Sequence, residues 1–393
     1  MRPEIRALFP GASEQVYLDI AARCLVPTPV RDAIEAHLRV RMHEGGDKDG
    51  LWAVVEGARG GLATLIGADP EEIAVTKNVS EGLNLFAASL PWREGDNVVV
   101  CPKLEHPNNI YLWYNLKRLR GIEVRTVEPI EGRVSVAAMS DAMDERTRLV
   151  TVPSVSFAPG FVTDVEGIVR AARRVGALTL IDAAQSVGAM VTDVRQLGAD
   201  ALAVAAQKCL LADYGTGFLY VRKEVAHELV PVHVARYGID LGDAHETAFS
   251  ESGELRYMPG ALRFDVGNYN YMGAAAAGAA IGLLSEWTVE AVEDHVGALA
   301  ARLARGLFEL GLPVVGGPDC TDRAHIVSVG ESGGGRHYTA DDPAMNDLRQ
   351  ALLEDRTVHS IRSGVLRFSV GVHNDDDDIE RTLDTAKRWR EAR

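Results

Sequence analysis

Residues 178–221 constrain the fold of this 393-residue chain more than any other stretch: LTLIDAAQSVGAMVTDVRQLGADALAVAAQKCLLADYGTGFLYV. Three short apolar runs lie in or against it. The first, 177–181, stops at Asp182; the second, 201–206, stops at Gln207-Lys208; the third, 217–221, follows Gly215-Thr216-Gly217. Apolar runs of this length without polar alternation are the pattern of strands buried on both faces of a parallel sheet. The polar residues that end such strands emerge at the carboxyl edge of the sheet, where ligand crevices form. The sequence therefore predicts an acid, Asp182, and an amine, Lys208, side by side at one sheet edge.

The flanking chain supports an α/β reading. Strands are expected at 73–75, 97–101, 123–127 and 149–155, with helices at 28–42, from about 51 to Gly67, from the Thr76–Gly82 turn to near Leu90, from Glu105-His106 to Arg120, and at 165–175 before Gly176. Such alternation predicts a mostly parallel, seven-stranded sheet between helices. Beyond Arg222 the periodicity lapses, and 231–262 reads as a long surface excursion near the mouth of the site. A helix from Met272, a helical stripe from Val289 to Leu310, strands at 325–329 and 365–370, a helix at 343–353 and a last helix opened by Asp375–Asp378 then predict a smaller α+β unit. The expected division is 1–50 (an N-terminal segment), 51–285 (the large domain) and 286–393 (the small one).

A net charge of −15 argues against a nucleic-acid partner, which needs a surplus of Lys and Arg. Cys24, Cys101, Cys209 and Cys320 are far apart and form no C-x-x-C, so neither a zinc site nor a disulfide framework is indicated. No metal is expected. The charged N-terminus has no signal-peptide core and the longest apolar helical run is short of the roughly 20 residues that span a bilayer, so a cytoplasmic protein is expected. No G-x-G-x-x-G or P-loop stands in its required context.

An amine and an acid at adjacent strand ends suit pyridoxal 5′-phosphate: the lysine holds the aldehyde as a Schiff base, and the carboxylate keeps the pyridine nitrogen protonated. Read together, Asp182-Ala183-Ala184-Gln185, Lys208 and Gly215-Thr216-Gly217-Phe218-Leu219-Tyr220-Val221-Arg222 resemble the class V aminotransferase and cysteine desulfurase family of fold type I enzymes, in its isopenicillin N epimerase-like branch. The resemblance implies a homodimer with shared active sites acting on an amino acid. It implies that Ser80-Glu81 cradle the cofactor phosphate, with Gln207 also near it, that His106 stacks on the ring and shuttles protons, and that Gln185 meets the ring oxygen. Asn268, and with it Thr216, would approach the phosphate bound by the neighbouring subunit. Arg367, alone among apolar residues in its strand, is either a structural ion pair or a bidentate grip on a carboxylate; the resemblance implies the substrate α-carboxylate. Three positions depart from the family pattern: Ala205 and Gln207 before the lysine replace Ser and His, and Phe157 replaces an asparagine near the ring hydroxyl.

A desulfurase of this family needs a thiol shortly before the carboxylate-binding arginine, and residues 330–367 contain no cysteine. A persulfide mechanism is therefore disfavoured. The expected activity is amino-acid transamination at Cα, with β-eliminating C–S lysis or epimerisation as alternatives.

Overall fold

The computed structural model describes residues 3–245, 247–249, 253–336 and 338–393. Its centre is a seven-stranded sheet built from Ile73–Thr76 (β1), Asn97–Val100 (β2), Glu123–Thr126 (β3), Thr147–Pro153 (β4), Leu178–Asp182 (β5), Ala201–Ala205 (β6) and Gly217–Val221 (β7), in spatial order β1-β7-β6-β5-β4-β2-β3. All neighbours are parallel except those of β7, which runs antiparallel to both β1 and β6. Every residue of β6 and β7 is buried, which is why these strands read as continuous apolar runs. The α/β class and the mostly parallel seven-stranded sheet expected from the sequence are what the chain forms.

Local chemistry sets the helix ends. Helix Val165–Val175 starts where Asp164 accepts the Gly167 N–H at 2.7 Å and stops where Gly176 turns left-handed. Helix Lys48–Leu65 begins earlier than its apolar stripe predicts, because Asp47 accepts the Gly50 N–H at 2.7 Å and draws part of the expected 43–50 loop into the helix. Thr28 is the first residue of helix Thr28–His43, and its hydroxyl donates to Leu8 O at 2.9 Å. A buried ion pair fixes the edge of the sheet. Arg59 meets Asp265 at 2.9 Å, Asp265 also accepts the Val75 N–H at 2.9 Å and the Tyr269 hydroxyl at 2.7 Å, and the 265–270 turn is thereby tied to β1.

Helix Tyr271–Trp287 bends by 80° into Val289–Glu309, which leads to a second, antiparallel sheet. Its strands are Ile326–Val329 (β8), Ser360–Arg362 (β9) and Val365–Ser369 (β10), in order β9-β10-β8. The sequence reading has two strands here. It lacks β9, a three-residue strand joined to β10 by Ser363-Gly364, both at positive φ as a tight hairpin requires. The N-terminal segment lies against these elements. Val16–Tyr17 pairs with Thr357–Val358, and Arg6 meets Asp378 at 2.7 Å and Asp375 at 3.2 Å. The 231–262 excursion holds two 3₁₀ turns, Arg236–Gly238 and Gly260–Phe264; residues 246 and 250–252 of it lie outside the described residues.

Three histidines hold this seam together while buried and neutral. His373 donates to Tyr17 O at 3.0 Å and His359 to Thr357 O at 2.9 Å, while His325 lies against Cys209. Burial pushes their pKa values down to about 4, 4 and 3. Unfolded histidine titrates near 6.5, so between pH 6.5 and the folded values only the unfolded chain gains protons and stability falls with pH. From pH 7 to pH 5 each should cost on the order of 2 kcal/mol. Urea midpoints should drop steeply over that interval, and His373→Asn should flatten the drop; a midpoint unchanged between the two pH values would refute the assignment.

Candidate active site

Strands β5 and β6 pair in register; β5 ends at Asp182, opposite Ala203, and β6 runs two residues further to Ala205. Lys208 follows β6 after Ala206-Gln207, in a turn at the same sheet edge, and its amine and the Asp182 carboxylate attract each other there. Burial drives the Lys208 pKa down, with Asp182 opposing, and pushes that of Asp182 up, with Lys208 opposing. One Asp182 oxygen accepts the Ala184 N–H at 3.0 Å, which aims the carboxylate. Gln185 donates to Ala21 O at 3.0 Å; its side-chain oxygen is buried and makes no hydrogen bond.

Beside this pair lies a turn with donors to spare. Asn78 caps helix Val79–Ser89 by accepting the Glu81 N–H at 2.9 Å, and the Glu81 carboxylate in turn accepts the Lys77 N–H. The Glu81 carboxylate, expected to help cradle the phosphate, is an acceptor-only group engaged with the backbone. It shapes the turn, leaving the half-buried Ser80 and the first-turn amides as the anion-facing groups. Gly217 lets β7 approach that turn, since a Cβ there would stand 2.7 Å from Val204 O and 2.9 Å from the Asn78 backbone. Next to it Thr216 is buried with its hydroxyl unpaired, and Gly273 leaves the room for that hydroxyl, since a Cβ there would collide with it. A cavity of about 410 Å³ opens here, lined among others by Lys77, Thr216 and Asn268. Asn268 is exposed and accepts the Tyr237 hydroxyl at 2.7 Å, so its amide N–H groups remain for a ligand. Gln207 is half-buried, its backbone oxygen accepting the Cys24 N–H at 2.9 Å. Ala205 is buried and, being apolar, donates nothing.

A second cavity of about 390 Å³ is lined by His106, Phe157, Tyr338, Ile361, Arg362 and neighbouring glycines. His106 and Phe157 meet edge to face at 5.8 Å. The imidazole is pushed down to about 4 by partial burial first and then by the charges of Lys208, Arg362 and Arg367, so it is neutral at pH 7. Arg367 is buried and engaged at three points: it donates to Phe157 O at 2.9 Å, to Ser360 Oγ at 3.2 Å and to Asp19 at 3.3 Å. Its acidic partner is thus Asp19, 348 residues away in sequence. Arg362, which the sequence reading did not single out, stacks on Tyr338 at 5.2 Å and faces the same crevice. Asp19 had no signal in the sequence. Arg362 had one, the Ser-Gly turn that follows it.

The aminotransferase class-V family model matches residues 16–382. The chain belongs to the class V aminotransferase family. Among its relatives, a probable cysteine desulfurase of Methanothermobacter thermautotrophicus is 38% identical over 75% of this chain and 73% of that protein. An uncharacterized aminotransferase of Bacillus subtilis is 31% identical over 79% of this chain and 80% of its own. The apo structure of a cysteine desulfurase from Thermococcus onnurineus superposes with a TM-score of 0.85 at 27% identity, covering 100% of this chain and 99% of that one. The cystine C-S lyase C-DES, solved with its product cysteine persulfide, shares the fold at a TM-score of 0.84 and 23% identity over 98% of this chain and 99% of that one. The family's cofactor is pyridoxal 5′-phosphate, and the residues present fit it: a buried acid beside a buried amine, two unpaired buried oxygens on Gln185 and Thr216, and an amide-lined turn for an anion.

Thr216 gives a test that separates fit from fold. Thr216→Val removes a buried hydroxyl with no protein partner, so the cofactor-free protein should melt at the same temperature or slightly higher. Cofactor affinity should fall about tenfold or more, the worth of a hydrogen bond to a charged group. Unchanged affinity in a fluorescence titration would remove Thr216 from the site.

Proposed function

We propose that the protein is an amino-acid aminotransferase working at Cα, and that it does not use an enzyme persulfide. The observation that carries the second half is the state of its thiols. Burial pushes Cys24 and Cys209 up to about 12 and Cys101 to about 11. Cys320, also raised, donates to Asp322 at 2.9 Å. Burial thus disfavours the thiolate at all four positions, and residues 330–367, which precede and include the arginine strand, contain no cysteine.

When bound, pyridoxal phosphate supplies an electron sink that makes the Cα proton of an amino acid acidic. Lys208, its basicity lowered by burial, takes that proton and returns it. Asp182 holds the proton on the ring nitrogen. His106, neutral and standing against Phe157, covers the ring face and excludes water from it. Arg367 and Arg362 supply the positive charge that receives the substrate carboxylate, Arg367 sharing itself with Asp19. Residues 1–50, 51–285 and 286–393 are read as N-terminal segment, large domain and small domain. The assembly is read as a cytoplasmic homodimer: Met42, Leu38, Val230 and Val232 leave apolar surface uncovered, and Asn268 keeps free donors near the edge of the site.

β-Elimination is the second reading, favoured by the C–S bond chemistry named in several relatives. The deciding experiment is a single turnover with a panel of amino acids and no amino acceptor. Stoichiometric 2-oxo acid without ammonia supports transamination. Pyruvate with ammonia, turning over catalytically, replaces it by elimination. Lys208→Ala should lower either rate by at least about a thousandfold, the scale of lost general-base catalysis. Arg367→Ala should raise KM strongly while leaving the cofactor's visible spectrum intact; lost cofactor at normal KM would make it structural. Sulfide release from cysteine that disappears when any one cysteine is changed to Ser would overturn the claim about thiols.

A further inference from the structure

Glu105 is a buried ionisable group for which the reaction above has no task. It follows β2, directly precedes His106, and is 2% exposed. Neither carboxyl oxygen makes a hydrogen bond. The groups facing it are the Asp182 carboxylate, the Asn109 side chain and the Cys101 thiol, and none is a cation. Asn109 is itself anchored: its Nδ2 donates to Thr151 Oγ1 in β4 at 2.8 Å, which leaves its buried Oδ1 without a donor. A carboxyl and an amide oxygen, both unsatisfied, therefore stand together, and one proton on Glu105 satisfies both by donating to Asn109 Oδ1. An ionised Glu105 would instead be an unpaired buried charge beside a second carboxylate.

We propose that Glu105 keeps its proton at neutral pH and is a positioning residue, tying the segment that carries His106 to β4 through Asn109 and leaving Asp182 as the only anion beneath the ring nitrogen. Burial first and then the Asp182 charge raise its affinity for that proton, against a smaller opposing effect of the Asn109 side chain, and the net direction is well upward. The role rests on the cofactor reading above; the protonation does not.

The test therefore begins on cofactor-free protein. Infrared difference spectra with isotope-labelled glutamate should show a carboxylic-acid C=O band at neutral pH that Glu105→Gln removes. On holoenzyme, Glu105→Gln, neutral and still a donor to Asn109, should hold cofactor affinity within about twofold and leave the pH titration of the visible band unmoved. Glu105→Ala, which orphans the Asn109 oxygen, should weaken cofactor binding about tenfold. The Gln variant thus rescues what the Ala variant loses. Absence of the acid band in wild type would overturn the proposal, since Asn109 would then be turned over and donating to an ionised Glu105. A titration of the visible band displaced in the Gln variant, as removal of a negative charge would displace it, would overturn it too. Should the Ala variant not fold, the band and the Gln titration still decide. Protein that shows the band but binds no pyridoxal phosphate would refute the cofactor reading and the positioning role built on it, and would support the protonation.

Discussion

An amine and a carboxylate taken out of water together are the constraint around which the rest of the chain is arranged. Lys208 and Asp182 each pay a desolvation penalty that their mutual attraction offsets only if they are held close and kept apart from competing charges. Parallel pairing of β5 with β6 supplies the closeness, because both strands run out at the same sheet edge, Asp182 as the last residue of β5 and Lys208 in the turn after β6. Strand β7 then runs back antiparallel between β6 and β1, which brings the Thr216 hydroxyl and the Asn78 turn to the same edge. Because burial lowers the lysine and raises the acid, both groups sit nearer to proton exchange than they would in water, the condition general acid–base work requires.

What the sequence made legible follows from the range of the forces involved. Strands β5, β6 and β7 announced themselves because burial on both faces removes polar residues locally, and helix Val165–Val175 because its cap and its terminal glycine are local too. Strand β9 did not, since three residues ending in arginine carry no periodicity. Its existence depends on pairing with β10 and on a two-residue turn. The Asn78 cap of helix Val79–Ser89 was hidden by Ser80, an equally good cap residue two positions on. Asp19 was invisible for a stronger reason: nothing in the neighbourhood of a Tyr-Leu-Asp segment tells that its carboxylate will meet a guanidinium 348 residues later.

That long-range pair changes how the crevice should be read electrostatically. Arg367 shares its charge with Asp19, whereas Arg362 is held by a backbone oxygen and a tyrosine ring, neither of which neutralises it. The chain as a whole is strongly acidic, yet Lys208, Arg362 and Arg367 converge on His106 closely enough to depress its imidazole. A carboxylate ligand entering the cavity meets a positive local field inside a negative molecule. Asp19 holds Arg367 in place from the opposite end of the chain and takes up part of its charge.

The same hairpin limits the chemistry open to the site. β9 and β10 place Arg362 and Arg367 on neighbouring strands joined by Ser363-Gly364, and the turn is tight because both residues adopt left-handed backbone. A sulfur-accepting thiol at this place would need a loop long enough to reach the substrate's sulfur and mobile enough to leave again. Residues 330–342, between β8 and helix Pro343–Glu354, have the length, but no cysteine exists between β8 and β10, and burial raises the pKa of Cys24, Cys101 and Cys209. Among the described residues no cysteine lines the cavity in which His106 and Arg362 stand, so the side chains that would meet a ligand's sulfur there include an imidazole, two rings and a guanidinium, and no thiol.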